Sequence, residues 1–134
     1  MNITHFADFL LAAAQQPEPQ RLLFVFTRAE LPDRYSEAQK AQFLKQQGGA
    51  LAPVMCVDKL PSELTDFASL VRESEKTGQA WDIVFASSLS GQAGHAPTSE
   101  AAESALHKMI ESVKFGGVSA FLAFDRAGEL VVFH

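Results

Sequence analysis

Leu22-Leu23-Phe24-Val25-Phe26 is the first of four short apolar runs that alternate with amphipathic stretches along the sequence. The other three runs are Val54-Met55-Cys56-Val57, Ile83-Val84-Phe85-Ala86 and Val118-Ser119-Ala120-Phe121-Leu122-Ala123-Phe124. A short apolar run without alternation is typical of a β-strand that is buried on both faces. Because helical segments separate the runs, the pattern predicts an α/β sandwich of two or three layers with a mostly parallel sheet.

The predicted elements follow one another in the order αβαβαβαββ. We expect helices over about residues 3–16, 36–48, 60–78 and 98–115, and strands over about 21–28, 51–57, 81–87, 118–124 and 130–133. Asp125-Arg126-Ala127-Gly128 predicts a hairpin turn, so the last two strands are expected to be antiparallel. Pro53 lacks an amide hydrogen, so the second strand either lies at a sheet edge or begins after the proline.

Length and composition limit the class of protein. A chain of 134 residues is expected to form one domain, residues 1–134. The net charge of −5, with the eleven Lys and Arg residues scattered, argues against nucleic-acid binding. No stretch approaches the roughly 18–20 consecutive apolar residues of a membrane span, and the N-terminus lacks the pattern of a secretory signal. The single cysteine suits a reducing compartment, so we expect a soluble cytoplasmic protein.

Polar residues at the strand ends are the candidates for a ligand site. Ligands of open α/β sheets usually bind outside the carboxyl ends of the strands. The candidate residues in this chain are Arg28, Cys56, Asp58, Ser87, Ser88, Ser90 and Asp125. If they converge in a pocket, they would suit a small anionic or nucleotide-type ligand.

Cys56-Val57-Asp58-Lys59 is the sharpest of the polar motifs. A lysine beside a thiol can lower its pKa and make it a nucleophile, whereas the neighbouring carboxylate opposes that effect. The simpler interpretation, which we favour, is that Cys56 is a small apolar residue of a core strand.

The loop over residues 88–97 (SLSGQAGHAP) is the second polar motif. Its glycines precede a predicted helix and loosely resemble a phosphate-binding loop, but a flexible surface loop is the favoured interpretation. A catalytic set of Ser88 or Ser90, His95, and Asp58 or Asp125 lacks the nucleophile elbow that strains a serine into position. The four histidines show no metal-ligand spacing, so the sequence predicts neither a metal nor a cofactor; they are His5, His95, His107 and His134.

Several stretches together resemble a family of short bacterial proteins of about this length. They are the segment from Pro17 to Phe26, Met55-Cys56-Val57-Asp58-Lys59, Trp81-Asp82-Ile83-Val84-Phe85, Leu89-Ser90-Gly91 and Phe124-Asp125-Arg126. The family has no established activity, so the resemblance implies no catalytic residue. Some members carry the label "ribonucleotide reductase subunit alpha", but that subunit needs a cysteine pair and a separate thiyl cysteine. Because Cys56 is the only cysteine here, the label implies at most a regulatory link to nucleotide metabolism.

Two function classes remain after these exclusions. The favoured one is a non-catalytic domain that binds a protein partner or associates with a second copy of itself as a homodimer, because a sheet edge provides a binding surface without special residues. The alternative is a small-molecule binding protein or small enzyme with its site at the strand ends. An exposed apolar patch or a dimer would favour the first class, and a pocket with converging polar groups the second.

Overall fold

A five-stranded sheet organises the chain. The structure is a computed structural model that describes residues 3–29, 51–115 and 117–132. Its elements are α1 (Phe6–Ala14), β1 (Gln20–Ala29), β2 (Leu51–Lys59), a short 3₁₀ helix (Pro61–Glu63), α2 (Phe67–Glu75), β3 (Ile83–Ser90), α3 (Ser99–Lys114), β4 (Leu122–Phe124) and β5 (Leu130–Val131).

Every neighbouring pair of strands in this sheet is antiparallel, in the order β2-β1-β3-β4-β5. The prediction of a mostly parallel sheet is therefore wrong. It rested on the absence of polar alternation, which shows only that both faces of a strand are buried. Helices cover both faces of this sheet, and that produces the same apolar runs whatever the strand direction. Only the antiparallel hairpin of the last two strands is confirmed, with Ala123 opposite Val131.

The two faces of the sheet carry separate apolar cores. Leu22, Phe24 and Phe26 of β1 belong to the first core, together with residues of α1 and α2. Leu23 and Val25 belong to the second core, which also contains the buried side of α3. Successive side chains of a strand point to opposite faces, so one apolar run supplies both cores. The described residues thus form a three-layer sandwich with α1 and α2 on one face and α3 on the other.

Phenylalanine rings fill the first core. The Phe6 ring lies 4.8 Å from the Phe67 ring, 5.3 Å from Phe124 and 5.7 Å from Phe24, measured between ring centroids. Tilted and edge-on rings at these spacings are favourable beyond the area they bury. Phe115, by contrast, lies outside this cluster and is 84% exposed.

Most element predictions within the described residues are confirmed with altered bounds: α1, α3, β4 and β5 are shorter than predicted, β1 and β2 are longer, and β3 begins and ends later. The predicted helix over 60–78 is wrong in part, because it divides into Pro61–Glu63 and α2. Asp66 begins α2 by accepting a hydrogen bond from the Ser69 backbone amide at 2.9 Å, the usual role of an N-cap. The fourth predicted strand begins only at Leu122. The predicted helix over 36–48 lies outside the described residues.

Pro53 is part of β2, which is the outermost strand on its side of the described sheet, so the edge alternative is confirmed. Among the residues that the structure describes, no helix is long and apolar enough to cross a membrane.

We predict that Phe85→Ala lowers the free energy of unfolding by about 3–5 kcal/mol, since β3 lies between β1 and β4 and Phe85 is fully buried. The measurement is urea denaturation of the two proteins. Phe115→Ala is the matched control and should change stability by less than about 0.5 kcal/mol, because its ring is exposed. A loss below about 1 kcal/mol for Phe85→Ala would contradict the doubly buried sheet.

Candidate functional site

The antiparallel sheet separates the residues predicted to share a strand-end site. The carboxyl ends of β2 and β3 lie beside the start of β1, where Leu22 is opposite Lys59 and Gln20 is opposite Ser90. Asp58, Ser88 and Ser90 therefore lie at this end of the sheet. Arg28, near the carboxyl end of β1, and Asp125, directly after β4, lie at the opposite end of the sheet, so the seven residues do not form one site.

Arg21 holds Asp58 at the first end of the sheet. Its Nε donates to Asp58 Oδ2 at 2.6 Å, and its other nitrogens donate to the Pro97 carbonyl oxygen at 3.3 Å and to Ser99 Oγ at 3.2 Å. Both charged side chains are partly buried. This network joins β1 and β2 to the start of α3, so the Asp58 carboxylate has a structural partner rather than an open position for a ligand.

Ser90 is also engaged by a neighbouring strand. The side chain of Gln20 is buried and its Nε2 donates to Ser90 Oγ at 2.8 Å and to the Glu18 carbonyl oxygen at 3.0 Å. The Gly91 amide donates to the Pro19 carbonyl oxygen at 2.8 Å, and the Gly94 amide donates to the Glu18 carboxylate at 3.0 Å. The glycine-containing loop after β3 is thus fastened to the segment before β1, and the Gly94 amide is not free for a phosphate.

The other end of the sheet holds two further predicted residues in structural roles. Asp125 Oδ1 accepts hydrogen bonds from the backbone amides of Ala127 at 2.8 Å and Glu129 at 3.1 Å, as in an Asx turn. Arg28 is exposed and donates to the Ala80 carbonyl oxygen at 3.4 Å. Arg126 stacks over the Trp81 ring at 4.5 Å. We expect these contacts to order the hairpin and its neighbours.

Cys56 lies exposed near the middle of β2, opposite Val25. It is therefore not the buried core residue that the sequence favours. Partial burial raises the pKa of the Cys56 thiol above its ordinary value, and the negative charge of Asp58 raises that pKa further. A nucleophilic cysteine needs the opposite shift. The thiol is accessible, and its raised pKa disfavours the thiolate form that a nucleophile requires.

Ser87 and Ser88 line an open groove of about 670 Å³ between α3, β3 and the segment that precedes β4. Its walls combine apolar and polar side chains, among them Leu23, Met109, Phe121, Ser104, Lys108 and Ser112. This groove brings two predicted site residues together with a cation, Lys108. Lys108 was not among the predicted site residues, because it lies on α3 and belongs to no recognisable motif.

A second open groove of about 720 Å³ runs between α1 and the start of α2. It is mostly apolar, with Leu10, Leu11 and Phe67 in its walls. Two of the polar residues that line it have structural partners: His5 Nε2 lies 3.2 Å from Glu129 Oε2, and Asp66 caps α2. The backbone hydrogen bond from Ser69 lowers the pKa of Asp66, as expected for a helix cap. This groove provides an apolar surface for contact, whereas its His5 and Asp66 side chains are engaged in structural contacts.

A smaller cavity, of about 220 Å³, lies between β2 and α2 at the edge of the sheet. Phe26, Met55, Val57 and Leu70 supply its apolar walls. Lys59 and Glu73, which also line it, form an ion pair with Nζ and Oε1 2.7 Å apart. We call it the edge cavity. The sequence does not reveal it, because it depends on α2 packing beside the outermost strand.

No group of three or more His, Cys, Asp or Glu side chains that could hold a metal ion occurs within residues 3–29, 51–115 and 117–132. Comparison with known proteins finds no match to this chain among protein-family models, curated proteins or solved structures. The family resemblance of the sequence therefore stays a prediction, and functional conclusions must come from the geometry of this chain.

We predict that Gly91→Ala destabilises the fold by about 1–3 kcal/mol, because an added Cβ would overlap the His95 carbonyl oxygen and press on that of Pro19. Gly117→Ala is the control, since a Cβ there meets only the Ser112 carbonyl oxygen at an ordinary 3.6 Å. Thermal unfolding of both variants measures the difference. Equal melting temperatures would show that the loop after β3 is not fastened to the chain before β1.

We predict that the Cys56 thiol reacts slowly with iodoacetamide. A raised pKa leaves less thiolate at neutral pH, so the midpoint of the rate against pH should lie higher in the folded chain than in the same chain unfolded in urea. Asp58→Asn should lower that midpoint, because the substitution removes the negative charge beside the thiol. A folded-state midpoint at or below that of the unfolded chain would contradict this assignment.

Proposed function

We propose that this chain is a non-catalytic domain that binds a protein partner by adding an extended segment of that partner to the outer edge of β2. The observation that carries the proposal is the edge itself. β2 is nine residues long and is the outermost strand on its side of the described sheet, whereas β5 at the other edge has two residues. An outermost strand presents backbone donors and acceptors to which another strand can pair.

The protective features of this edge are concentrated at one end of β2. Pro53 lacks an amide hydrogen, and the register with β1 shifts at Val54, because Phe26 is opposite Met55 while Thr27 is opposite Pro53. Prolines and bulges are devices that prevent strands from pairing at an edge. From Met55 to Lys59 the register is regular. This half of β2 is therefore the part that suits an added strand.

The arrangement of the polar residues supports a binding role over catalysis. Nucleophilic and acid–base catalysis need a reactive group that is near a partner and free to meet a substrate. Asp58, Ser90 and Asp125 are each held by structural hydrogen bonds, and the pKa of Cys56 is raised. A partner strand, by contrast, needs only the backbone and accessible side chains of β2.

A second candidate function has its own observation. The groove along α3 brings Ser87 and Ser88 together with Lys108, and its volume of about 670 Å³ falls within the usual range of small-molecule sites. Hydroxyl groups and an ammonium suit a small anionic ligand such as a phosphate ester. This is the small-molecule alternative of the sequence analysis, but its site lies along α3. Of the seven predicted residues it contains only Ser87 and Ser88.

We predict that peptides selected from a random nine-residue display library against the folded chain bind by strand addition. N-methylation of alternate peptide amides tests this directly, because an added strand directs every second amide toward its neighbour. Methylating one set should abolish binding and methylating the other should leave it nearly unchanged. Hydrogen exchange should show protection of β2 amides in the complex. Cys56→Lys should weaken binding, since a lysine on an edge strand opposes pairing.

Leu11→Lys is the control, because Leu11 is exposed on α1 in a different groove. Binding that is insensitive to the position of N-methylation, or lost in Leu11→Lys, would reject strand addition at β2. A melting temperature that rises with inorganic phosphate, nucleotides or sugar phosphates, and no longer rises in Lys108→Met, would favour the α3 groove instead. Dimerisation that is lost in Cys56→Lys would identify the partner strand as β2 of a second copy.

A further inference from the structure

We infer that the edge cavity is a specificity pocket that takes one uncharged, apolar side chain of the added strand, of the size of Leu, Met or Phe. The inference rests on the proposed function, since it assumes that the partner pairs with β2. In strand addition, backbone hydrogen bonds supply affinity and pockets for alternate side chains supply specificity. The partner segment is thus defined by one large apolar residue within an extended stretch.

The position of the cavity follows from the register of β2. Met55 and Val57 are opposite Phe26 and Phe24, so their side chains lie on the sheet face covered by α2. The cavity is lined by these residues of β2 and by Leu70 and Thr77 of the α2 side. A strand added outside β2 would direct every second side chain toward this same face. Those side chains would therefore lie on the same face of the sheet as the edge cavity.

The volume of the edge cavity favours a single side chain over a free small molecule as its occupant. Small-molecule sites usually measure about 300–1,000 Å³, whereas the edge cavity measures about 220 Å³. Side chains on one face of a strand are spaced about 7 Å apart along the chain. A cavity of this size consequently admits one of them, and the side chains two positions before and after it remain outside.

The charges and hydrogen bonds around the edge cavity favour an apolar occupant. Lys59 and Glu73 neutralise each other across the cavity at 2.7 Å. Ser74 Oγ accepts from Trp81 Nε1 and donates to the Val71 carbonyl oxygen, and Thr77 Oγ1 donates to the Ser74 carbonyl oxygen. Each of these polar groups already has a partner. A charged side chain would enter without compensation and lose its hydration, so an uncharged apolar side chain is favoured.

The test uses the peptides selected from the nine-residue library. Peptides that show the alternating N-methylation pattern should share one large apolar residue on the cavity-facing set of positions. Its replacement by Ala should weaken binding about ten- to hundredfold, as expected for removing a buried apolar side chain. Ala replacements two positions away should have much smaller effects. Titration calorimetry or fluorescence polarisation with the full chain gives the dissociation constants.

Two substitutions at Val57 test the cavity from the side of the protein. Val57→Phe fills the cavity and should weaken binding of these peptides, whereas Val132→Phe makes the same change at an exposed position near β5 and should not. Val57→Ala enlarges the cavity and should shift the preference from Leu toward Phe or Trp. This shift keeps the test decisive if Val57→Phe does not fold.

The outcomes separate the two proposals. An alternating N-methylation pattern together with affinities that respond neither to the apolar peptide residue nor to Val57 would overturn the specificity pocket and leave strand addition intact. Loss of the alternating pattern would reject strand addition itself. Selection of an acidic or basic residue at the cavity-facing position would also overturn the inference, because the closed Lys59–Glu73 pair predicts an uncharged one.

Discussion

Burial of β1 on both faces is the constraint from which the rest of the structure follows. The six residues from Leu22 to Thr27 are all buried, and the strand has hydrogen-bonded neighbours on both sides, β2 and β3. A strand in this position needs apolar cover above and below, which α1 and α2 provide on one face and α3 on the other. The only polar side chain in that stretch, Thr27, donates its hydroxyl to the Ile83 carbonyl oxygen at 2.8 Å, as burial of a polar group requires. Core and layer order therefore depend on one strand.

The sequence predicts the existence of the strands well and their direction poorly, for a physical reason. Leu22 to Phe26 and Ile83 to Ala86 read as strands because both their faces are apolar, and both are strands. Two-sided burial depends on what covers a strand and not on which way its neighbours run. Direction depends instead on the connections, such as the one that returns the chain from Ala29 to Leu51 directly opposite it. The apolar runs contain no information about that connection. They therefore predict a sandwich correctly but do not predict the direction of its strands.

The wrongly predicted strand direction also explains why the candidate site residues do not converge. Asp58, Ser88 and Ser90 were predictable as strand-end residues, and they do lie at one end of the sheet. Arg28 and Asp125 were predicted to share a site with these residues only because the strands were assumed to be parallel. Arg21, which holds Asp58, was not predictable, because it precedes Asp58 by 37 positions and meets it only through the antiparallel register. Likewise the edge cavity requires Leu70 of α2 to pack beside Val57 of β2, a relation between elements that no local motif encodes.

A sheet that ends in a long strand must either protect its edge or use it. In β2 the two protective features, Pro53 and the bulge at Val54, are adjacent, and neither extends to the regular half from Met55 to Lys59. Lys59 would ordinarily discourage pairing by its charge, but Glu73 neutralises it and holds it against α2. In the proposed strand addition, Pro53 and the bulge would exclude a misaligned strand, and the regular half of β2 would place one partner side chain at the edge cavity. Under this proposal, protection against indiscriminate pairing and selection of one partner register would both follow from the same arrangement of residues.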